Sequence, residues 1–99
     1  MEKRTPHTRL SILKNMARNG LVSITNTALI SASQIGFRSK QDLLEVVMAL
    51  NTSDFYKSMT AHHDHTIWHE VYRPIYRGQP LYIKFIVSGN LLIVSFKEL

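Results

Sequence analysis

The sequence contains no cysteine, only four glycines and three prolines, and no long hydrophobic run. Without cysteine, disulfides, thiolate metal sites and cysteine nucleophiles are excluded. No apolar run approaches the roughly 18 residues that a membrane-spanning helix needs. The charged stretch 1–8 leads into no apolar segment, so a signal peptide is not expected. Nothing marks the chain for export, and the cytoplasm is therefore the expected compartment.

Acidic residues are also scarce, with seven Asp and Glu against twelve Lys and Arg, which gives a net charge of +5. Hydrophobic residues make up 44% of the chain and charged residues 19%, which is typical of a folded protein and not of a disordered one. We therefore expect residues 1–99 to form a single domain around one core. A basic surface on so small a domain favours a polyanionic partner such as nucleic acid.

The first half of the sequence has the apolar spacing of helices. Three helices are predicted, which begin at Thr8 or Pro6, at Thr25 or Asn26, and at Ser39. Asp42 follows Ser39 by three residues and completes a pattern close to a capping box. Residues 22–25 are β-prone and short, which predicts a small edge strand between the first two helices.

The second half has the period-two alternation of strands. Strands are predicted for residues 55–60, 67–76, 81–87 and 91–97, with a turn at Gly78–Pro80 and a hairpin at Ser88-Gly89-Asn90. Helices followed by an antiparallel meander predict an α+β fold, in which the N-terminal helices pack on one face of a mostly antiparallel, twisted sheet.

The alternation also predicts which side chains lie on the face of the sheet turned away from the helices, which we call the open face. If Leu81, Ile83 and Phe85 contact the helices, then Tyr82 and Lys84 lie on the open face. If Val94 and Phe96 contact the helices, Lys97 joins them. Two further sets are each predicted to share a face: Phe55, Lys57 and Met59 on one strand, and Ile67, His69 and Val71 on the next.

The side chains predicted for the open face suit RNA chemistry; they are Lys57, His69, Tyr82, Lys84 and Lys97. Lysines contact phosphates, tyrosine stacks on bases, and histidine transfers protons near neutral pH. When a base removes the proton of an RNA 2′-hydroxyl, the 2′-oxygen can attack the neighbouring phosphodiester and cleave it. Cations stabilise the negative charge that develops, so no metal is needed. The same groups also fit the ordinary polar face of a sheet, or a module that binds RNA or the ribosome without cleaving.

Other catalytic classes fit the sequence less well. A metal site is one alternative, because the chain has a cluster of suitable ligands: His62, His63, Asp64, His65 and His69. The β-prone Ile67-Trp68 disrupts the helical spacing between His65 and His69, so the segment is better explained as a polar hairpin loop. A serine hydrolase is disfavoured because no G-x-S-x-G motif is present. The glycines form no phosphate-binding loop. No metal or other cofactor is predicted.

Several ordered segments resemble one family. These are Met1–Ser11, Ser53–Thr60, Asp64–Trp68, Val71–Pro74 and Leu92–Glu98, and they are similar in order and spacing to the MqsR toxins, the motility quorum-sensing regulators. The resemblance implies a RelE/YoeB-like fold and a type II toxin that cleaves messenger RNA near GC-containing triplets such as GCU. It also implies an MqsA-like antitoxin with a zinc-binding N-terminal part and a helix-turn-helix C-terminal part, and contact with operator DNA only through that complex.

The resemblance also implies site residues. The family's two catalytic lysines fall on Lys57 and Lys97, and its tyrosine falls on Tyr82. His69 stands where the best-known family member has glutamine, and histidine adds the ability to transfer a proton. We take these four residues as the catalytic candidates, and three others as candidate RNA contacts: Lys84, Arg73 and Met59.

Two further expectations concern the lysines and the antitoxin. Crowding of Lys57, Lys84 and Lys97 is expected to lower the pKa of a lysine, so that either His69 or such a lysine removes the 2′-hydroxyl proton. The edge at residues 22–25 is a candidate site for the antitoxin, since an exposed strand edge binds another strand through its free backbone groups.

Overall fold

The computed structural model describes all residues from 1 to 99 and contains three α-helices and seven strands. None of these helices is both long and apolar enough to span a membrane. The helices are α1 (Leu10–Arg18), α2 (Asn26–Gln34) and α3 (Lys40–Ala49), and a 3₁₀ turn follows at Thr52–Asp54. The strands are β1 (Glu2–Lys3), β2 (Val22–Ile24), β3 (Phe55–Thr60), β4 (Trp68–Tyr72), β5 (Ile75–Tyr76), β6 (Gln79–Ser88) and β7 (Asn90–Glu98).

Two of the three helices begin where their capping residues predict. Thr25 Oγ1 accepts a hydrogen bond from the Ala28 amide (3.1 Å) at the start of α2. Before α3, Ser39 Oγ accepts from the Asp42 amide (3.1 Å), and the Asp42 carboxylate accepts from the Ser39 amide (3.3 Å). The predicted capping box is thus confirmed. Helix α1 begins at Leu10, later than either predicted start at Thr8 or Pro6, after Arg9, whose side chain makes no cap.

The strands form one sheet in the order β1-β3-β4-β6-β7-β2, and β5 pairs only with β6. All pairs are antiparallel except β2 with β7, which is parallel. The predicted α+β fold is confirmed, and the predicted short edge strand is β2. Strand β1 was not predicted, because two charged residues carry no alternation to detect. The RelE/YoeB likeness stays a prediction.

The three helices cover one face of the sheet and enclose a single core of 17 buried residues. The central strands supply Leu81, Ile83 and Phe85 from β6, as predicted. The helices contribute mainly small and branched side chains: Leu10, Leu13, Ala17, Ala28, Ala32, Leu43, Val46 and Val47. Since the core uses only one face of β6, Tyr82 and Lys84 are left on the open face.

Two register shifts correct the predicted faces. Phe55 pairs with Tyr72 and packs against the core, whereas Lys57, after a shift at Tyr56, lies on the open face. Phe55 therefore does not share a face with Lys57 and Met59. In β7 a second shift leaves Val94 outside the pairing; Leu91 and Ile93 join Phe96 in the core, and Val94 does not. An extra residue in one strand reverses the alternation after it.

The predicted strand 67–76 is divided in two. β4 ends at Tyr72, and β5 begins only at Ile75, because Pro74 has no amide hydrogen to continue the ladder. The turn that follows is Arg77-Gly78, one residue earlier than the predicted Gly78–Pro80, and β6 begins at Gln79. Both turn residues have positive φ (52° and 81°), as a two-residue type I′ hairpin requires.

Tyr72 is fully buried in the core, and its hydroxyl has no hydrogen-bond partner. Burial, followed by the charges of Glu70 and Asp54, raises the pKa of Tyr72 to about 12. Since this pKa is raised, ionisation of Tyr72 is disfavoured in the folded state, so the free energy of unfolding does not depend on this titration well below pH 10 and falls as the pH rises from 10 to about 12.

Replacing Tyr72 by phenylalanine is expected to raise the free energy of unfolding by about 1–3 kcal/mol, the desolvation cost of an unpaired buried hydroxyl. Urea unfolding measures this change. The control is Tyr76→Phe, at a half-exposed position, where a change within about 0.5 kcal/mol is expected. A loss of stability in Tyr72→Phe would contradict the prediction.

Candidate active site

Side chains on the open face form rows across the antiparallel strands. The first row is Glu2, Met59, His69 and Ile86; the second is Lys57, Val71, Lys84 and Ser95; the third is Tyr82 and Lys97. Side chains directly opposite in such pairs have Cβ atoms about 4.5–5.5 Å apart. The predicted common face is confirmed for Lys57, Met59, His69, Tyr82, Lys84 and Lys97. Their chemical roles stay predictions.

Lys57 lies at the edge of the second row and is paired with Glu2. Its Nζ donates to Glu2 Oε1 at 2.8 Å, and the Lys57 side chain is only 21% exposed. The hydrogen bond that Lys57 donates to Glu2 raises the pKa of Lys57 above its ordinary value, despite the opposing effect of desolvation. The expected lowering of a lysine pKa by crowding therefore does not apply to Lys57, which stays a cation.

Lys84 is the lysine whose pKa is lowered, although burial, and not the predicted crowding, is the main cause. It lies in the middle of the second row, across the buried Val71 from Lys57. Desolvation is the main cause that lowers the pKa of Lys84, and the charges of Lys97 and Lys57 add to it. A lysine with a lowered pKa gives up its proton more readily than an ordinary one.

His69 lies in the first row between Met59 and Ile86. Burial lowers the pKa of His69 below its ordinary 6.5, and the charges of Lys84 and His63 lower it further. The imidazole is therefore mostly neutral at pH 7 and able to accept a proton.

Tyr82 and Lys97 face each other on β6 and β7, and the Lys97 Nζ lies 5.1 Å from the centre of the Tyr82 ring. Lys84 Nζ lies 6.0 Å from the same ring. Lys97 is exposed and Tyr82 half-buried, so the ring and the Lys97 ammonium group are open to a ligand. Such cation–π contacts hold the lysine heads over the tyrosine.

Beside Lys57 lies a cluster of cations around Tyr56. The sequence pointed to Arg73 in this cluster but not to Arg4 or Tyr56. Around the Tyr56 ring centre lie the guanidinium carbons of Arg73 (4.4 Å) and Arg4 (4.9 Å) and the Lys57 Nζ (5.5 Å). A hydrogen bond with Arg4 and the nearby positive charges lower the pKa of Tyr56. The only sequence signal was the basic N-terminus, since Arg4 and Tyr56 are 52 residues apart.

The histidine-rich segment forms the loop between β3 and β4. Asp64 Oδ1 accepts hydrogen bonds from the Thr66 amide (2.9 Å) and hydroxyl (2.6 Å), which tie this carboxylate into its own loop. No three histidine or acidic side chains of the chain come close enough together to bind a metal. The loop instead borders a cleft of about 270 Å³, which continues the first row and includes Glu2, Met59, His62 and His65.

Comparison with known proteins matches the chain to one family. The model of the family described as "Motility quorum-sensing regulator, toxin of MqsA" matches residues 5–98. The chain is also 49% identical over 98 residues to the mRNA interferase toxin MqsR of Escherichia coli (strain K12), and the match covers 99% of both chains.

Proposed function

Because the chain belongs to the family of motility quorum-sensing regulator toxins, we propose that it is an mRNA interferase, a toxin that cleaves messenger RNA and so inhibits translation. The observation that carries this proposal is the placement of a neutral histidine, His69, beside three lysines and a tyrosine on one open face. Such a face offers a proton acceptor, a proton donor and fixed positive charge on four neighbouring strands of one surface.

RNA binding is assigned to the cations of the open face and its edge. Lys57 and Lys97 bind the scissile phosphate and stabilise the charge that develops on its oxygens. Arg73, next to Tyr56, extends the positive surface toward a flanking phosphate. Met59 lies between Glu2 and His69 and offers a soft apolar contact to a base, while Tyr82 positions a base or the phosphate.

The cleavage step uses the RNA's own 2′-hydroxyl as the nucleophile. His69 accepts the hydroxyl proton as the 2′-oxygen forms a bond to phosphorus. The bond from phosphorus to the 5′-oxygen breaks, and this leaving oxygen takes a proton from the Lys84 ammonium, whose lowered pKa favours donation. The products are a 2′,3′-cyclic phosphate and a 5′-hydroxyl, and proton exchange with water returns both residues to their starting states.

The first test is cleavage of a GCU-containing RNA by the purified protein in excess EDTA. We expect cleavage to persist, because side chains supply every proton transfer and positive charge of the proposed step. Mass spectrometry of the fragments is expected to show cyclic phosphate and 5′-hydroxyl ends. Matched RNAs with the triplet permuted test the proposed preference for GC-containing triplets.

Two results would contradict this function. Cleavage that EDTA abolishes and a divalent cation restores would contradict the metal-independent step. A folded protein that cleaves no RNA but retards it at low salt would instead favour a module that binds RNA or the ribosome.

The partner that the family description names is MqsA, and we propose that an MqsA-like antitoxin binds this chain in the cytoplasm. A zinc-binding N-terminal part, a helix-turn-helix C-terminal part and contact with operator DNA through the complex are also proposed. Strand β2 is an available outer edge of the sheet for this contact. The Val22 carbonyl on that strand already accepts from Lys40 Nζ (2.8 Å), so an added strand would have to displace this lysine or use the remaining groups.

A further inference from the structure

Glu2 is the one acidic side chain in the three rows of the open face, and the proposed function has not used it. Its Oε1 accepts the short hydrogen bond from Lys57, and its Oε2 lies 3.9 Å from an Arg4 nitrogen. A carboxylate beside a phosphate-binding lysine repels RNA. Its presence there calls for a function that offsets this repulsion.

The position of Glu2 is set by the backbone on both sides. Glu2 pairs with Met59 and Lys3 with Ser58 in the sheet. Further along, the chain wraps to the opposite face, where the His7 amide donates to Glu70 Oε1 (3.0 Å) and lies 3.1 Å from Ser58 Oγ. Both of these acceptors are buried, and Ser58 Oγ itself donates to Glu70 (2.8 Å). The backbone at Glu2 is therefore held at a fixed place beside Lys57, and its side chain needs only to reach across to the Lys57 ammonium.

Lys57, by contrast, has a flexible four-carbon side chain and a like charge nearby. Without a partner, its ammonium would sample many rotamers, and Lys84 across the row would repel it. The bond to Glu2 uses one of its three N–H donors and leaves two for phosphate oxygens.

We propose that Glu2 is a positioning residue, which holds the Lys57 ammonium on the open face where it meets the scissile phosphate of the RNA. This role rests on the proposed function. It assigns Lys57 a purely electrostatic part, and it leaves the proton transfers to His69 and Lys84. It also predicts that the Glu2 carboxylate raises both KM and kcat. Its charge weakens RNA binding, which raises KM, and its placement of Lys57 speeds turnover, which raises kcat.

The experiment compares Glu2→Ala and Glu2→Gln with the wild type and with Glu45→Gln. Glu45 is exposed on α3, on the helix side of the sheet, so this control removes the same charge far from the open face. Glu2→Ala is expected to lower kcat about tenfold, because small misplacements of a catalytic group cost one to two orders of magnitude. KM is expected to fall in both Glu2 variants. Glu2→Gln should keep most of kcat, because its amide oxygen still accepts from Lys57.

NMR titration of the Lys57 side chain in the RNA-free protein gives a readout that does not depend on cleavage. The pKa of Lys57 is expected to fall in both Glu2 variants and to stay unchanged in Glu45→Gln. An active wild type with kcat unchanged or raised in Glu2→Ala would overturn the positioning role alone. A folded wild type that fails to cleave would overturn the proposed function and this role with it.

Discussion

Alanine in place of Lys57 is expected to lower the rate of RNA cleavage by about 10²–10³-fold, the loss typical of removing one donor from a developing oxyanion. The Lys57 side chain is only 21% exposed, and its ammonium group is paired with Glu2 and lies beside Tyr56, so its positive charge is held at one place on the open face. Single-turnover cleavage of one RNA by both proteins measures the change.

The matched control is Arg18→Ala, which removes an exposed positive charge at the end of α1, away from the open face. Its rate should stay within about twofold of the wild type at moderate salt, because screening weakens distant exposed charges. An equal loss in both variants would mean that net charge, and not the position of Lys57, controls cleavage.

Arginine at position 57 distinguishes an electrostatic role from proton transfer. Because Glu2 raises the pKa of Lys57, the lysine is a cation throughout the proposed step, and an arginine preserves that charge. Lys57→Arg is therefore expected to retain much of the activity that Lys57→Ala loses. A loss as deep as that of alanine would indicate that Lys57 itself gives up a proton.

Glutamine in place of His69 is expected to lower kcat by about 10²-fold, the low end of the contribution of a general base. The lysines and Tyr82 remain to bind the phosphate, which limits the loss. Cleavage rates measured from pH 5 to pH 8 test the role directly.

The shape of this pH profile shows whether His69 must be neutral for cleavage. His69 accepts a proton only when neutral, and burial places its pKa below 6.5, so wild-type cleavage should be flat near pH 7 and fall below that pKa. In His69→Gln, this fall of the cleavage rate at low pH should be absent. An unchanged rate with the same profile would show that His69 only positions the RNA, as a glutamine does.

The sequence predicted the open face where the strands keep strict alternation. In β6 every second residue from Leu81 to Phe85 is buried, so Tyr82 and Lys84 had to lie opposite. The predicted faces were wrong at the two register shifts. No pattern in the sequence marks Tyr56 or Val94 as the extra residue in its strand. Lys97 lies on the predicted face because it follows the second shift, in step with Phe96.

The contacts around Lys57 were beyond prediction for a different reason. Glu2 and Lys57 are 55 residues apart, and nothing in a two-residue charged strand indicates where it pairs. The family resemblance singled out Lys57, but it did not supply the carboxylate that sets its charge state. Pairing between distant segments is decided by the whole fold, which local patterns do not describe.

The strand order has a consequence for how the chain acquires activity during synthesis. The two outer strands, β1 and β2, come from the first quarter of the chain, yet β2 pairs with the last strand, and Thr25 contacts Val94 at a separation of 69 residues. Contacts this distant are made late and slowly in folding. The helices therefore have no completed sheet to cover, and Tyr82 has no Lys97 beside it, until β7 has left the ribosome. A nascent chain with this topology is therefore expected to lack the assembled open face until its last strand has been synthesised and released.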